Sequence, residues 1–168
     1  FQAGVMVLVY MLGNLAMKVV TTPILRWFAF RPVLVAANLV TTLALLACAL
    51  LTPTTPEPVI WVVLFVAGLS RSMTFTGTNT LTFADVAPEE RAGATALSSM
   101  LQQLAISLGV AIAALVLNLS LAVFHGTALT QWDFRVAFLA MAAVSAVAAV
   151  GFLRLDRAAG DEVRGRSA

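Results

Sequence analysis

The chain reads as an all-α, polytopic membrane helix bundle of about five transmembrane helices. Three observations lead there. Apolar residues make up 61% of the 168 residues and charged ones 11%, and the mean hydropathy is +0.97, which is more apolar surface than one soluble core of this size encloses. The apolar residues are gathered into long runs, and about 20 such residues suffice to cross a bilayer as a helix. Inside the runs nothing alternates with period two, which excludes the strands of roughly ten residues that build an outer-membrane barrel.

The runs cover residues 3–23, 32–51, 59–81, 96–123 and 134–153. The first ends at a hinge holding Pro23, Arg26, Arg31 and Pro32. Lys18 stands near its inner end, where its stem can snorkel toward the interface; a boundary role and a functional one both remain open. The second run holds Cys48, the single cysteine. With no partner thiol it supports neither a disulfide framework nor a thiolate metal site, and it reads as a small apolar filler. Pro53, Pro56 and Pro58 then form a stiff turn that no helix crosses, because proline removes donors and bars the helical region before it.

The third run is polar over its second half and is taken up below. A hinge of Asp85, Pro88, Glu89, Glu90 and Arg91 follows, in which Asp85 suits an N-cap of a short turn and the glutamates suit a helix N-terminus. The fourth run carries Ser98, Gln102, Ala105, Gly109 and Ala113 along one stripe, small residues of the kind that let membrane helices approach closely. Ser99 and Gln103 lie one step round and are candidates for lining a polar path. The fifth run completes a transmembrane bundle over residues 1–155, and residues 156–168 read as a polar, disordered tail. Trp27, Trp61 and Trp132 fall near run ends, as interfacial anchors should. Asn14, Asn38 and Asn118 read as interhelical hydrogen-bonding groups, and His125 as a solvated loop residue.

The cations set an orientation. Arg26, Arg31, Arg91, Arg154, Arg157, Arg164 and Arg166 all flank one side of the runs, whereas the opposite connections carry almost no Lys or Arg. The positive-inside rule puts the first set in the cytoplasm, with the C-terminus inside and the N-terminus outside. Phe1 is not a Met and no basic segment precedes the first run, so the chain reads as a fragment without a signal peptide.

Function classes narrow on the same grounds. The net charge of +2 is scattered among hinges rather than gathered on a face, which speaks against nucleic acid. No paired acids, no His/Asp/Glu cluster and no nucleophile with a base lie inside the runs, so an enzyme is not expected, nor a cofactor or a metal. Arg71 is the charge within the third run, whose second half is polar from Ser70 to Thr82. It lies close to the bilayer midplane, where insertion costs about 2.5–3.5 kcal/mol, and such residues face a bundle interior or a watery cavity. Thr74 and Thr78 share its face at helical spacing, with Asn79 beside them. These four residues, with Ser99 and Gln103, are the substrate-path candidates. Arg71 is either structural, satisfied by carbonyl and amide groups, or a substrate or coupling residue; part of the hydroxyl run is spent on its own helix.

Several stretches also resemble a known family. Residues 13–18, Gly-Asn-Leu-Ala-Met-Lys, and 23–34, Pro-Ile-Leu-Arg-Trp-Phe-Ala-Phe-Arg-Pro-Val-Leu, resemble the inner hinge in the C-terminal half of the major facilitator superfamily. Residues 68–81 with Arg71 and Asn-Thr-Leu, 88–103 ending in Ser-Ser-Met-Leu-Gln-Gln, and 108–113 containing Gly-Val-Ala-Ile are similar to its fourteen-span drug:proton antiporters. The resemblance implies a multi-pass protein of a bacterial inner membrane. It implies proton-coupled efflux of drugs or small organic compounds by alternating access, with an N-terminal half of the same protein, protons, a small-molecule substrate and the lipid bilayer as partners. An organic-anion exporter and a non-transporting membrane scaffold are the alternatives. Lys18, Arg26 and Arg31 map onto the cytoplasmic hinge, but Leu25 precedes Arg26 where the stronger family motif has an Asp, so gating by that carboxylate does not carry over.

Overall fold

The computed structural model of the chain describes residues 2–84, 86–124 and 129–155. Among these residues the regular structure is entirely helical: α1 (Gln2–Trp27), α2 (Phe30–Leu50), α3 (Glu57–Thr82), a short 3₁₀ turn (Pro88–Glu90), α4 (Arg91–Phe124) and α5 (Gln131–Leu153). Each of the five long helices is apolar and long enough to cross a membrane. Asp85, His125 and the tail from residue 156 lie outside the described residues.

Helix ends differ from the apolar runs in instructive ways. Pro23 sits inside α1 rather than ending it, and α2 begins at Phe30, so the hinge shrinks to Phe28 and Ala29. Proline at that place costs one backbone bond, and helix resumes for a turn because nothing after it opposes helix. The fourth helix starts at Arg91, earlier than hydropathy suggests, since Arg91 to Thr95 are polar or small without breaking helix. The three prolines of the outer turn do stop the chain: α2 ends in an extended Leu51, and Pro56 precedes α3 with Pro58 in its first turn. That turn closes on itself through a Thr52 amide donating to Thr55 Oγ1 at 2.9 Å.

The helices pack as a row. α3 lies between α1 and α2, and α5 lies on the other side of α2 and carries α4. At the α1–α3 crossing a Cβ on Gly13 would strike the Phe65 carbonyl oxygen, and one on Gly68 would strike that of Tyr10. The two glycines therefore let the backbones touch. Nearer the arginine-bearing end, Leu25, Phe30, Ala37 and Met73 form a buried core, and Met17, Ile24, Val33 and Leu81 pack against it. Leu34, wholly buried, fills the space above Gly77.

α2 and α5 are held by polar contacts within the apolar layer. Asn38 Nδ2 donates to the Ser145 carbonyl at 2.7 Å, and the Thr42 and Ser145 hydroxyls bond at 2.9 Å. Asn38 thus joins two helices. Asn118 does not: it donates to Ala114 O of its own helix at 2.8 Å, as an exposed amide does when no second helix faces it. At the opposite end, Gln131 reaches the Leu51 carbonyl at 2.8 Å and Gln2 reaches Glu57 at 3.0 Å. Large apolar side chains such as Leu8, Leu15, Leu43, Leu104 and Val147 stand exposed, the surface expected of a body solvated by lipid.

Candidate functional site: a cavity between α4 and the rest of the bundle

α4 has 34 residues, about 51 Å at 1.5 Å per residue, and two side-chain hydrogen bonds tie it to the bundle, one near its C-terminus and one about a third of the way along from its N-terminus. Toward its C-terminus, Ser120 Oγ donates to Asp133 of α5. Toward its N-terminus, Gln102 Nε2 donates to Asn79 Oδ1 of α3 at 2.8 Å. Between these two ties the helices stand apart around a cavity of about 740 Å³, within the ~300–1,000 Å³ typical of small-molecule sites.

One stripe from each helix faces the cavity. α3 contributes Ala67, Arg71, Thr74 and Thr78 at spacings of four, three and four, with Phe75 and Asn79 beside them. α2 contributes Asn38, Thr41, Leu45 and Cys48 in the same rhythm. α4 supplies Gln102, Ala105 and Ala113, and α5 supplies Phe134, Phe138 and Met141. Tyr10 of α1 also borders it. The lining is thus mostly apolar and aromatic, with polar groups concentrated on α3 and the facing parts of α2 and α4.

Arg71 is exposed to this space and finds no hydrogen-bond or ion-pair partner among the described residues. Thr74 returns its hydroxyl to Ser70 O at 3.0 Å. Thr80 and Thr82 bond to Thr76 O and Thr78 O in the same way, both at 2.9 Å, so part of the polar run is used within α3. Across the wall, Thr41 Oγ1 of α2 donates to Ser70 Oγ of α3 at 3.0 Å, and Ser70 Oγ donates to Ala67 O at 3.0 Å. That relay pins the wall beside Arg71.

The six path candidates separate. Arg71, Thr74, Thr78 and Asn79 border one cavity; Ser99 and Gln103 are exposed on α4 and lie outside its lining. Gln102, assigned by its stripe to helix packing, takes the position expected for Gln103. The small-residue stripe was the misleading signal. Ala105 and Ala113 border the cavity, and no atom lies within 4 Å of a Cβ built on Gly109. Small side chains with nothing opposite widen a space instead of closing an interface. Cys48, read as a filler, borders the same cavity; its i, i+3, i+7, i+10 relation to Asn38, Thr41 and Leu45 was the available clue. Of the hinge residues, Lys18 is exposed on α1 and Arg31 is half-buried in the first turn of α2, with Arg26 in the last turn of α1. No group of three or more His, Cys, Asp or Glu that could hold a metal occurs among the described residues.

The Major Facilitator Superfamily profile matches residues 1–168. The chain belongs to the Major Facilitator Superfamily. That is a family of multi-pass membrane transporters and not of enzymes, and it bears out the resemblance carried by residues 13–34 and 68–113. Among curated proteins, the chain is 37% identical over 163 residues to the multidrug resistance protein MdtD, a provisional name, of Escherichia coli O6:K15:H31 strain 536. Proteins of the same name from Escherichia coli K12 strain DH10B and Shigella boydii serotype 18 are also 37% identical over 163 residues. Each match takes in 92% of this chain and 33% of the relative, so the chain spans about a third of the length of the curated relatives it matches. No solved structure matches it significantly.

Proposed function

We propose that the chain is the C-terminal part of a proton-coupled efflux transporter for drugs or small organic compounds, and that the cavity between α4 and α3 forms part of its substrate path. The observation that carries this reading is Arg71, a cation in the middle of a spanning helix, exposed to a cavity of about 740 Å³ with no partner among the described residues. An unpaired charge at that depth is costly unless water or a ligand meets it. The aromatic wall of Phe75, Phe134 and Phe138 suits an amphipathic organic molecule, and the name of the relatives points to drugs.

No acid borders the cavity among the described residues, so the proton-carrying carboxylates belong to other parts of the protein. Alternating access would rock this part against an N-terminal half about a midplane site. The arginines at the α1–α2 hinge, at the start of α4 and after α5 favour a cytoplasmic position for that end and the C-terminus, in a bacterial inner membrane. One observation favours a second reading within the same class. Because no described carboxylate pairs with Arg71, an organic anion gains from it and a lipophilic cation does not.

The test is flux driven by a pH gradient in proteoliposomes of the full-length protein, with lipophilic cations and organic anions compared. Loss of flux in Arg71→Ala, with partial retention in Arg71→Lys and normal protein level, supports the reading, and restriction of that loss to anions selects the second. Undiminished flux in Arg71→Ala returns Arg71 to a structural role.

A further inference from the structure

A second cavity, about 560 Å³, opens along another face of α2 at its arginine-bearing end. Its polar feature is Arg31, half-buried in the first turn of α2. The rest is apolar: Val35, Ala36 and Leu39 run down α2, and Leu153 of α5 stands opposite. Leu39 and Leu153 are each 49% exposed, so the groove is open to the side along this part of the protein.

Three features at its mouth favour an anion. Arg31 has no acid partner among the described residues. The N-terminus of α2 is uncapped, since Ala29 makes no side-chain cap and no acid lies in the first turn; the amides there and the helix dipole present positive charge. Arg154, which follows Leu153 and is exposed, adds another cation at the same end. The groove therefore asks for a ligand with one negatively charged end and a long apolar remainder, held parallel to the helices.

We propose that this groove binds an anionic glycerophospholipid, with its phosphate on Arg31 and the start of α2 and an acyl chain along Val35, Ala36, Leu39 and Leu153. Basic recesses between spanning helices at a membrane surface recognise lipid headgroups by this combination. A zwitterionic lipid brings its own ammonium group to a site that already has uncompensated cations, so the site discriminates by headgroup charge. The site lies apart from the cavity at Arg71, and its occupation does not depend on which substrate is carried.

The experiment uses the full-length protein in nanodiscs of equal phosphatidylglycerol and phosphatidylcholine, released into a mass spectrometer that counts retained lipids. The parent should keep phosphatidylglycerol in preference to phosphatidylcholine. Arg31→Gln should lower the retained phosphatidylglycerol about five-fold, the effect of removing one interfacial cation, and Arg31→Lys should restore most of it. Ala36→Phe fills the groove without touching charge and should also displace the lipid, while Arg91→Gln should not. Helicity is followed in each variant, and Ala36→Phe keeps the test decisive where Arg31→Gln fails to fold. Equal retention of the two lipids overturns the proposal, as does unchanged retention in either Arg31→Gln or Ala36→Phe. Displacement by excess inorganic phosphate also overturns it, since that marks a headgroup-only site, and so does absence of any retained lipid, which marks a groove covered by protein.

Discussion

Gly13 and Gly68 meet at one crossing, each lying against the backbone of the other's helix: a Cβ on Gly13 would strike Phe65 O and one on Gly68 would strike Tyr10 O. The relation is reciprocal, so neither side has a flexible side chain able to give way. Gly68 also sits one residue from Ala67 and three from Arg71, and both of those border the cavity. Close contact at this point therefore fixes the height and rotation of the polar face of α3.

From that contact it follows that Gly13→Ala and Gly68→Ala each destabilise the protein by about 1–3 kcal/mol, the usual cost of forcing a methyl into a packed site. Gly109→Ala, with open space around its Cβ, should be neutral within about 0.5 kcal/mol. Thermal unfolding in detergent, read side by side for the three variants, checks this. A Gly109 variant as unstable as the other two would contradict the assignment of the α1–α3 crossing as the tight one.

Asp133 is fully buried in the first turn of α5. It accepts from the Thr130 amide and the Thr130 hydroxyl, both at 2.7 Å, and from Ser120 of α4. One carboxylate thus caps α5 and fastens α4 to it. Asp133→Ala strands these donors, at about 1–3 kcal/mol for each buried group left unpaired, whereas Ser120→Ala removes only one donor and should cost about 1 kcal/mol. The same unfolding assay should rank Asp133→Ala well below Ser120→Ala. Equal stability of the two would mean that the cap contributes nothing.

Five spanning helices were legible because each apolar run exceeds the length a bilayer demands, and the prolines between α2 and α3 could not be helical. The depth and face of Arg71, Thr74 and Thr78 were legible too, since they follow from helical spacing within a single run. What one helix turns toward another was not. Gln102 and Gln103 differ by a 100° rotation, and hydropathy cannot fix the rotation of a helix that is apolar nearly all round, as α4 is. Asp133 escaped for a different reason. The apolar run starts at Phe134 and hydropathy leaves Asp133 outside it, yet its capping role draws it into α5 and under cover.

Gln102 and Gln103 give a sharp comparison because they are neighbours of identical chemistry. Gln102 bonds to Asn79 at the cavity edge; Gln103 is exposed elsewhere on α4. Gln102→Ala should shift the apparent affinity for a transported compound by about two- to ten-fold, equivalent to the ~0.5–1.5 kcal/mol of one hydrogen bond. Gln103→Ala should stay within about two-fold. Concentration-dependent flux in the full-length protein reads both. The reverse ranking would place the path on the other face of α4.

Cys48 offers a direct probe of whether the cavity holds water. It is half-buried on the cavity wall, near the end of α2 that lies away from the arginines, while Leu43, 63% exposed on the same helix, faces outward. A charged, water-soluble thiosulfonate reacts only with a thiolate, and a thiolate needs water or a cation nearby. Hydrocarbon supplies neither. In a version of the full-length protein with Cys48 as its sole cysteine, modification should therefore run about an order of magnitude faster than at a single cysteine placed by Leu43→Cys in a Cys48→Ala background. A transported compound should slow the reaction at Cys48 and leave the other unchanged, because only one thiol shares space with Arg71. Equal rates at both positions would mean that the space between α4 and α3 is filled with lipid and does not conduct substrate.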